Sequence, residues 1–272
     1  MATILDRIVA HKRLEVERRS ANTPLSALRD APRYARPTLS LCDALKNSPD
    51  YGIIAEFKRK SPSQDDINLA ADPSAVTAGY AANGAAAISC LTDVHFFGAE
   101  PTDIDRVRAA VNIPVIRKDF LVDRYQLHEA RAMGADAILL IAACLSAEQL
   151  DELANEACEL GLNVLCEVHD EDDVAKLSPD VDVVGVNNRN LKDFSVRIAT
   201  SLELAELLPP SLLRISESGI EDPQSIVKLR RAGYRGFLIG TYFMRQPDPA
   251  AALGEFIRRT RDIDEIYQDA IA

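Results

Sequence analysis

YGIIAEFKRKSPS, residues Tyr51–Ser63, opens as an apolar run rich in β-branched residues and closes in alternating charge. Gly52 to Phe57 reads as a buried strand. Side chains two apart in a strand share a face, so Glu56 and Lys58 point one way while Phe57 and Arg59 point the other. A carboxylate and an ammonium therefore converge at the strand's C-terminal end. Burying both is costly unless they pair, and an ion pair that merely closes a strand would by itself explain this stretch. What argues for more is that the pattern returns further along the chain.

Working outward, strand-like runs fall at Ile53 to Phe57, Ala86 to Leu91, Pro114 to Lys118, Ala137 to Ile141, Asn163 to Val168, Val183 to Val186, Leu212 to Ser216 and Gly236 to Ile239. Helical segments alternate with them, near residues 73–82, 102–110, 123–132, 147–159, 171–177, 199–207, 223–232 and 249–260. Gly84, Gly134, Gly161 and Gly233 stand where helices should stop. Eight such units over about 220 residues suit a (β/α)8 barrel, for which roughly 250 residues is typical. A doubly wound sheet with two extra strands is the alternative. Ahead of the first strand, TILDRIVAHKRLEVERRS (residues 3–20) sets Ile4, Ile8, Val9 and Leu14 at helical spacing. Thr23-Pro24 and Ser48-Pro49 punctuate the stretch between this helix and the first strand. The expected organisation is one domain, residues 1–272, of which about 1–50 form an N-terminal extension.

In a barrel the reactive groups sit at the C-terminal ends of the strands. The first strand ends in Glu56 and Lys58, the third in Lys118 and Asp119, the fifth in Glu167. The sixth ends in Asn187, Asn188 and Arg189, and the seventh in Glu217. Solvation explains polar strand ends, but it has no need of Lys and Glu on the inner register. The seventh and eighth strands are followed by Ser218-Gly219 and Gly240-Thr241. Such small residues let an anion approach backbone N–H groups, as a phosphate site requires, though tight turns alone would also use them.

Composition narrows the partners. A hydrophobic content of 47% supports a sizeable core. The net charge of -11 argues against nucleic acid or an anionic membrane as the main partner. The 5 cysteines are odd in number, scattered and free of any C-x-x-C spacing, and read as reduced core thiols. No signal peptide is recognised and no apolar run approaches the roughly 20 residues of a membrane span, so a cytoplasmic protein is expected. The 4 histidines lack ligand spacing, so no metal site is expected. His11 and His128 fall on helices as packing or surface residues, and His95 and His169 fall in loops. His169 lies in HDEDD, an acidic run expected to be solvated rather than catalytic.

The strings IAEFKRKSPS, SCLTDVHFFG, PVIRKDF, LCEVHD, VGVNNRNL, SESGI and FLIG, in this order on successive strands, closely resemble the indole-3-glycerol phosphate synthase family of tryptophan biosynthesis. The resemblance runs from about residue 4 to 260. It implies a TIM barrel whose N-terminal helical extension covers the C-terminal face. It also implies a carboxy-lyase that closes 1-(2-carboxyphenylamino)-1-deoxyribulose 5-phosphate to indole-3-glycerol phosphate, losing carbon dioxide and water, with no cofactor or metal.

By that resemblance Lys118 polarises the ketose carbonyl and Glu167 is the general base. Lys58 protonates the departing hydroxyl with Glu56 positioning or recharging it, although the assignment of each lysine to a step stays open. Asn187 and Glu217 form a polar wall around the sugar hydroxyls. Ser61 and Arg189 match positions near the anthranilate end, where Phe97 offers an apolar surface. Ser218, Gly219, Gly240 and Thr241 match the phosphate pocket, which Lys58 also reaches. Thr241 stands where the family more often has serine, and Ala99 where a second glycine is usual. The implied partner is the small phosphosugar substrate, and docking by other tryptophan-pathway enzymes is left open.

Three rivals fit parts of the pattern. A phosphosugar isomerase with a Cys and Asp pair would need a cysteine ending a strand beside an aspartate, and none is found. A Schiff-base aldolase could use Lys58 or Lys118. A non-catalytic phosphosugar-binding protein would have lost charged groups that are all present here.

Overall fold

The computed structural model describes residues 3–269. The strands are β1 (Ile53–Phe57), β2 (Ala87–Leu91), β3 (Val115–Lys118), β4 (Ala137–Ile141), β5 (Asn163–Val168), β6 (Val183–Asn187), β7 (Leu213–Glu217) and β8 (Gly236–Ile239). They form a closed parallel barrel in chain order, with β8 paired to β1. The barrel excludes the open doubly wound sheet.

The period-2 pattern of the strands builds two apolar layers. Ile54, Ala87, Ile116, Ala137, Leu139, Leu165, Val183, Ile215 and Leu238 fill the lumen. Ile53, Ala55, Phe57, Ile88, Val115, Ile138, Val164 and Phe237 face the surrounding helices. Full burial on both faces is why the strands read as near-continuous apolar runs. Helix stops fall at the predicted glycines; Gly134, for instance, ends the helix Tyr125–Met133 with φ +83°, a conformation that disfavours a side chain.

The extension consists of α1 (Ile4–Asn22), α2 (Leu25–Arg29) and α3 (Leu41–Lys46). Thr3 and Asp6 cap α1 reciprocally. Ile4, Leu5 and Ile8 of α1 line the cavity at the C-terminal ends of the strands, as expected of a cover. The rest of the extension departs from that expectation. It reaches the opposite end, where Leu41 and Leu45 pack into the lumen cluster and the Leu41 N–H donates to Asn163 Oδ1 at 2.8 Å. The physical reason is that the N-terminal end of the barrel would otherwise expose Ile54, Ala137 and Val183 to water. On the way, Arg36 pairs with the fully buried Asp136, which Arg108 also holds. Among the described residues, no helix is long and apolar enough to cross a membrane.

Candidate active site

A cavity of about 680 Å³ opens at the C-terminal ends of the strands. Strand alternation delivers its charged wall: Glu56 and Lys58 follow Ile54 on the inner register, Lys118 follows Ile116, Glu167 follows Leu165, and Glu217 follows Ile215. Lys118 is the centre. Its Nζ lies 3.0 Å from Glu167 Oε2 and 3.5 Å from Glu217 Oε2. Lys58 Nζ lies 2.7 Å from Glu56 Oε1, while Ser89 Oγ donates to Glu56 Oε2 at 3.1 Å.

These contacts decide which groups stay charged. Burial opposes the Lys118 ammonium, but Glu167, Glu217 and Glu56 outweigh it and push its pKa above the ordinary lysine range. Burial likewise opposes ionisation of Glu56, yet Lys58 and Lys118 hold it below the usual carboxylate range. Glu167 is also held low, because Lys118, His169 and Asn187 outweigh its burial. Glu217 moves the other way: burial, reinforced by Glu167 and Glu56, raises it despite Lys118. Its Oε1 finds no hydrogen-bond partner among the described residues. That oxygen overhangs Gly185, where an added Cβ would sit 2.1 Å away.

Every site residue expected from the sequence lines this cavity: Glu56, Lys58, Lys118, Glu167, Asn187 and Glu217, with Ser61, Phe97, Arg189, Ser218, Gly219, Gly240 and Thr241. Ser218 and Gly219 have φ of +67° and +73°, so the turn after β7 is tight and Ser218 is strained. Gly240 caps the short helix Thr241–Met244, and its open side is taken by Glu56, whose Oε1 would lie 2.7 Å from a Cβ there. Asn187 Oδ1 accepts from the Arg189 N–H at 3.0 Å, and Arg189 Nη1 donates to Phe194 O at 3.1 Å. Burial and nearby Arg245 lower the Arg189 pKa.

Three polar residues at the strand ends do other work. Asp119 pairs with Lys12 of α1 and with Arg117, away from Lys118. Asn188 is buried among Ser201, Ser216 and the carbonyls of Glu217 and Ser218. His169 corrects the expectation of a solvated residue, because its side chain is only 12% exposed and meets Glu167. Sequence reasoning also missed Phe120, which faces Phe97 with ring centroids 6.0 Å apart, and Arg245. Phe120 ends the string PVIRKDF, where an aromatic after two charges was the available signal. Arg245 carried none, because its helix is too short to show a period.

A closed (β/α)8 barrel with paired lysines and glutamates around a cavity at the strand ends defines an acid/base barrel enzyme. The indole-3-glycerol phosphate synthase family model matches residues 5–256. The chain is 45% identical over 258 residues to the indole-3-glycerol phosphate synthase of Bacteroides thetaiotaomicron, covering 95% of this chain and 99% of that one. It is 46% identical over 255 residues to that of Salinibacter ruber, covering 92% and 94%. Among solved structures, a thiamine phosphate pyrophosphorylase from Pyrococcus furiosus superposes with a TM-score of 0.57 at 16% identity, covering 82% of this chain and 99% of that chain. A chain of the tryptophan synthase complex from the same organism gives 0.55 at 14%, covering 78% and 98%. These two likenesses are of fold alone. The chain belongs to the indole-3-glycerol phosphate synthase family. It is a carboxy-lyase of tryptophan biosynthesis, closing the carboxyphenylamino-deoxyribulose phosphate to indole-3-glycerol phosphate.

Proposed function

We propose that Lys118 is the acid of the ring-closing step. The observation that carries this reading is its buried ammonium, held between Glu167 and Glu217 inside the cavity rather than against a helix. A fixed ammonium aimed at the ketose carbonyl stabilises the developing oxyanion in a site that excludes water. The ring carbon bearing the carboxylate then attacks, and loss of carbon dioxide restores aromaticity. Glu167, ionised beside Lys118, takes the proton lost in the following dehydration. Lys58 protonates the departing hydroxyl, and Glu56 at 2.7 Å positions it. Asn187 and Glu217 bind the sugar hydroxyls, where the unpartnered oxygen of Glu217 has an acceptor or donor to gain.

The two ends of the cavity suit the two ends of the substrate. Phe97 and Phe120 form an apolar slot for the anthranilate ring, with Arg189 and Ser61 near its carboxylate. Ser218, Gly219, Gly240 and Thr241 receive the phosphate, within reach of Lys58. We further propose a cytoplasmic site of action, which the five free cysteines support, and small molecules rather than nucleic acid as partners, which the net charge of -11 supports.

The test of the roles is direct. Purified protein given the carboxyphenylamino substrate without added cofactor should develop indole fluorescence, and Lys118→Met should abolish most of it. Borohydride added during turnover should leave no mass adduct; a permanent adduct on Lys118 or Lys58 would replace this scheme with Schiff-base chemistry.

A further inference from the structure

Three carboxylates, Glu56, Glu167 and Glu217, meet two ammonium groups, Lys58 and Lys118, in the cavity wall. If Lys118 swings toward a substrate oxygen, Glu167 loses the cation at its Oε2 just when it must hold its orientation. Its other oxygen has a ring nitrogen within ion-pair distance. His169, on the loop after β5, sets Nε2 3.3 Å from Glu167 Oε1. On the far side of the ring, Nδ1 stands 3.3 Å from Asp173 Oδ2, and the His169 backbone N–H donates to the same oxygen at 3.1 Å.

Asp173 is itself held from several directions. Its N–H donates to Asp170 Oδ1 at 3.0 Å, and its Oδ1 lies 3.2 Å from Lys176 Nζ. Lys176 is anchored in turn on the Ala142 carbonyl at 2.8 Å. The ring is thus clamped between a fixed carboxylate and the proposed base. An exposed acidic loop would need no such arrangement, because water would solvate each of its charges.

We propose that His169 is a positioning residue: held by Asp173, it fixes the Glu167 carboxylate with Oε2 toward Lys118 and keeps it there when Lys118 engages the substrate. The proposal rests on Glu167 being the base. A carboxylate with only Lys118 beside it could rotate about its terminal bond, whereas the His169 ring beside Oε1, within ion-pair distance though not aligned as a hydrogen bond, opposes that rotation because turning the carboxylate would separate the pair. The electrostatics agree: Asp173 and Glu167 outweigh burial and raise the His169 pKa to about 9, so the ring carries charge at neutral pH.

The experiment is a set of steady-state measurements on His169→Leu, His169→Gln, Glu167→Gln and the double variant His169→Leu/Glu167→Gln, with product affinity by calorimetry. His169→Leu should lower kcat about 10- to 100-fold, the scale of loss when a reacting group is misplaced by an ångström or so. Product affinity should hold, and His169→Gln, which still offers an N–H, should recover most of kcat. In the Glu167→Gln background, His169→Leu should change kcat little further, since a positioning residue has nothing left to position. If His169→Leu does not fold, His169→Asn, polar but too short to reach Glu167, should show the same loss. An unchanged kcat in His169→Leu beside a large loss in Glu167→Gln would overturn the proposal, as would full additivity in the double variant. An intact kcat in Glu167→Gln alone would instead remove the base assignment, and the proposal with it.

Discussion

Arg117 and Lys118 are neighbours on β3, and strand alternation sends them into two different knots of buried charge. Arg117, on the outer face, donates to Gln126 O at 2.7 Å, Glu129 Oε2 at 3.1 Å and Asp119 Oδ2 at 3.2 Å. Asp119 also meets Lys12 of α1 at 2.9 Å, and Lys12 lies 2.8 Å from Asp93 and 2.7 Å from Glu15. Lys118, on the inner face, meets Glu167 and Glu217 beside a cavity. Both knots are buried and both shift pKa values, so neither property alone marks catalysis. The inner knot differs in setting both lysines and all three glutamates in the cavity wall, to which the outer knot contributes only Asp119, and in leaving Glu217 Oε1 with neither a hydrogen bond nor an ion pair among the described residues. The outer knot fastens α1 to the loops after β2 and β3, while the inner one is left open toward a substrate.

Cutting the outer knot should separate stability from turnover. Lys12→Met should cost about 3–5 kcal/mol, the expected effect of stranding buried Asp93 and Asp119. Thermal unfolding should fall by roughly 10 °C, while kcat of the folded fraction changes less than about tenfold. A collapse of kcat with unaltered unfolding would make Lys12 part of the chemistry and erase the distinction.

A smaller effect should come from pH. Glu167 of β5 and Asp173 of the helix Glu171–Val174 face His169, with Lys118 and Glu217 beyond Glu167. Burial opposes its charge, but these carboxylates raise its pKa from 6.5 to about 9. The folded protein therefore keeps a proton that the unfolded chain releases. The resulting stability is complete below about pH 6.5 and lost as pH rises through about 9. Chemical denaturation of the parent and of His169→Gln should show an advantage of no more than about 3 kcal/mol that fades over this window. An advantage that grows with pH would contradict the assigned charge.

Smaller still, Gly185→Ala should cost about 1–2 kcal/mol in stability by overpacking. The new Cβ would meet Glu217 Oε1 at 2.1 Å, so that carboxylate must turn aside and kcat/KM should fall about tenfold, roughly 1.4 kcal/mol. Parent-like kinetics would mean that the placement of Glu217 over Gly185 has no bearing on turnover.

The barrel was legible because its strands are buried on both faces and its helices end at glycine. Each predicted strand is present within one residue of its expected bounds. The inner-face charges were legible for the same reason: period-2 alternation assigns Glu56, Lys58, Lys118, Glu167 and Glu217 to one side without knowledge of any partner. What alternation cannot reveal is a contact made by a loop. Asp170 caps a single turn whose Asp173 points back under His169, so an acidic run that reads as solvated is folded into the site. The helix Val94–Phe97 is likewise one turn, fixed by Asp93 rather than by a hydrophobic period. The plug formed by Leu41 and Leu45 was hidden because two leucines four apart report a buried helix face, not which end of a barrel it closes.

The difference between the two knots comes down to whether the ammonium of Lys118 acts in the transition state or as an anchor. Lys118→Met keeps the aliphatic stem and removes the charge. Steady-state kinetics should give a kcat lower by about 10²- to 10⁴-fold, with kcat/KM falling alongside it. Product affinity measured on the same sample should change far less. A KM raised about tenfold with an intact kcat would contradict a transition-state role, making Lys118 a substrate anchor and moving the acid to Lys58.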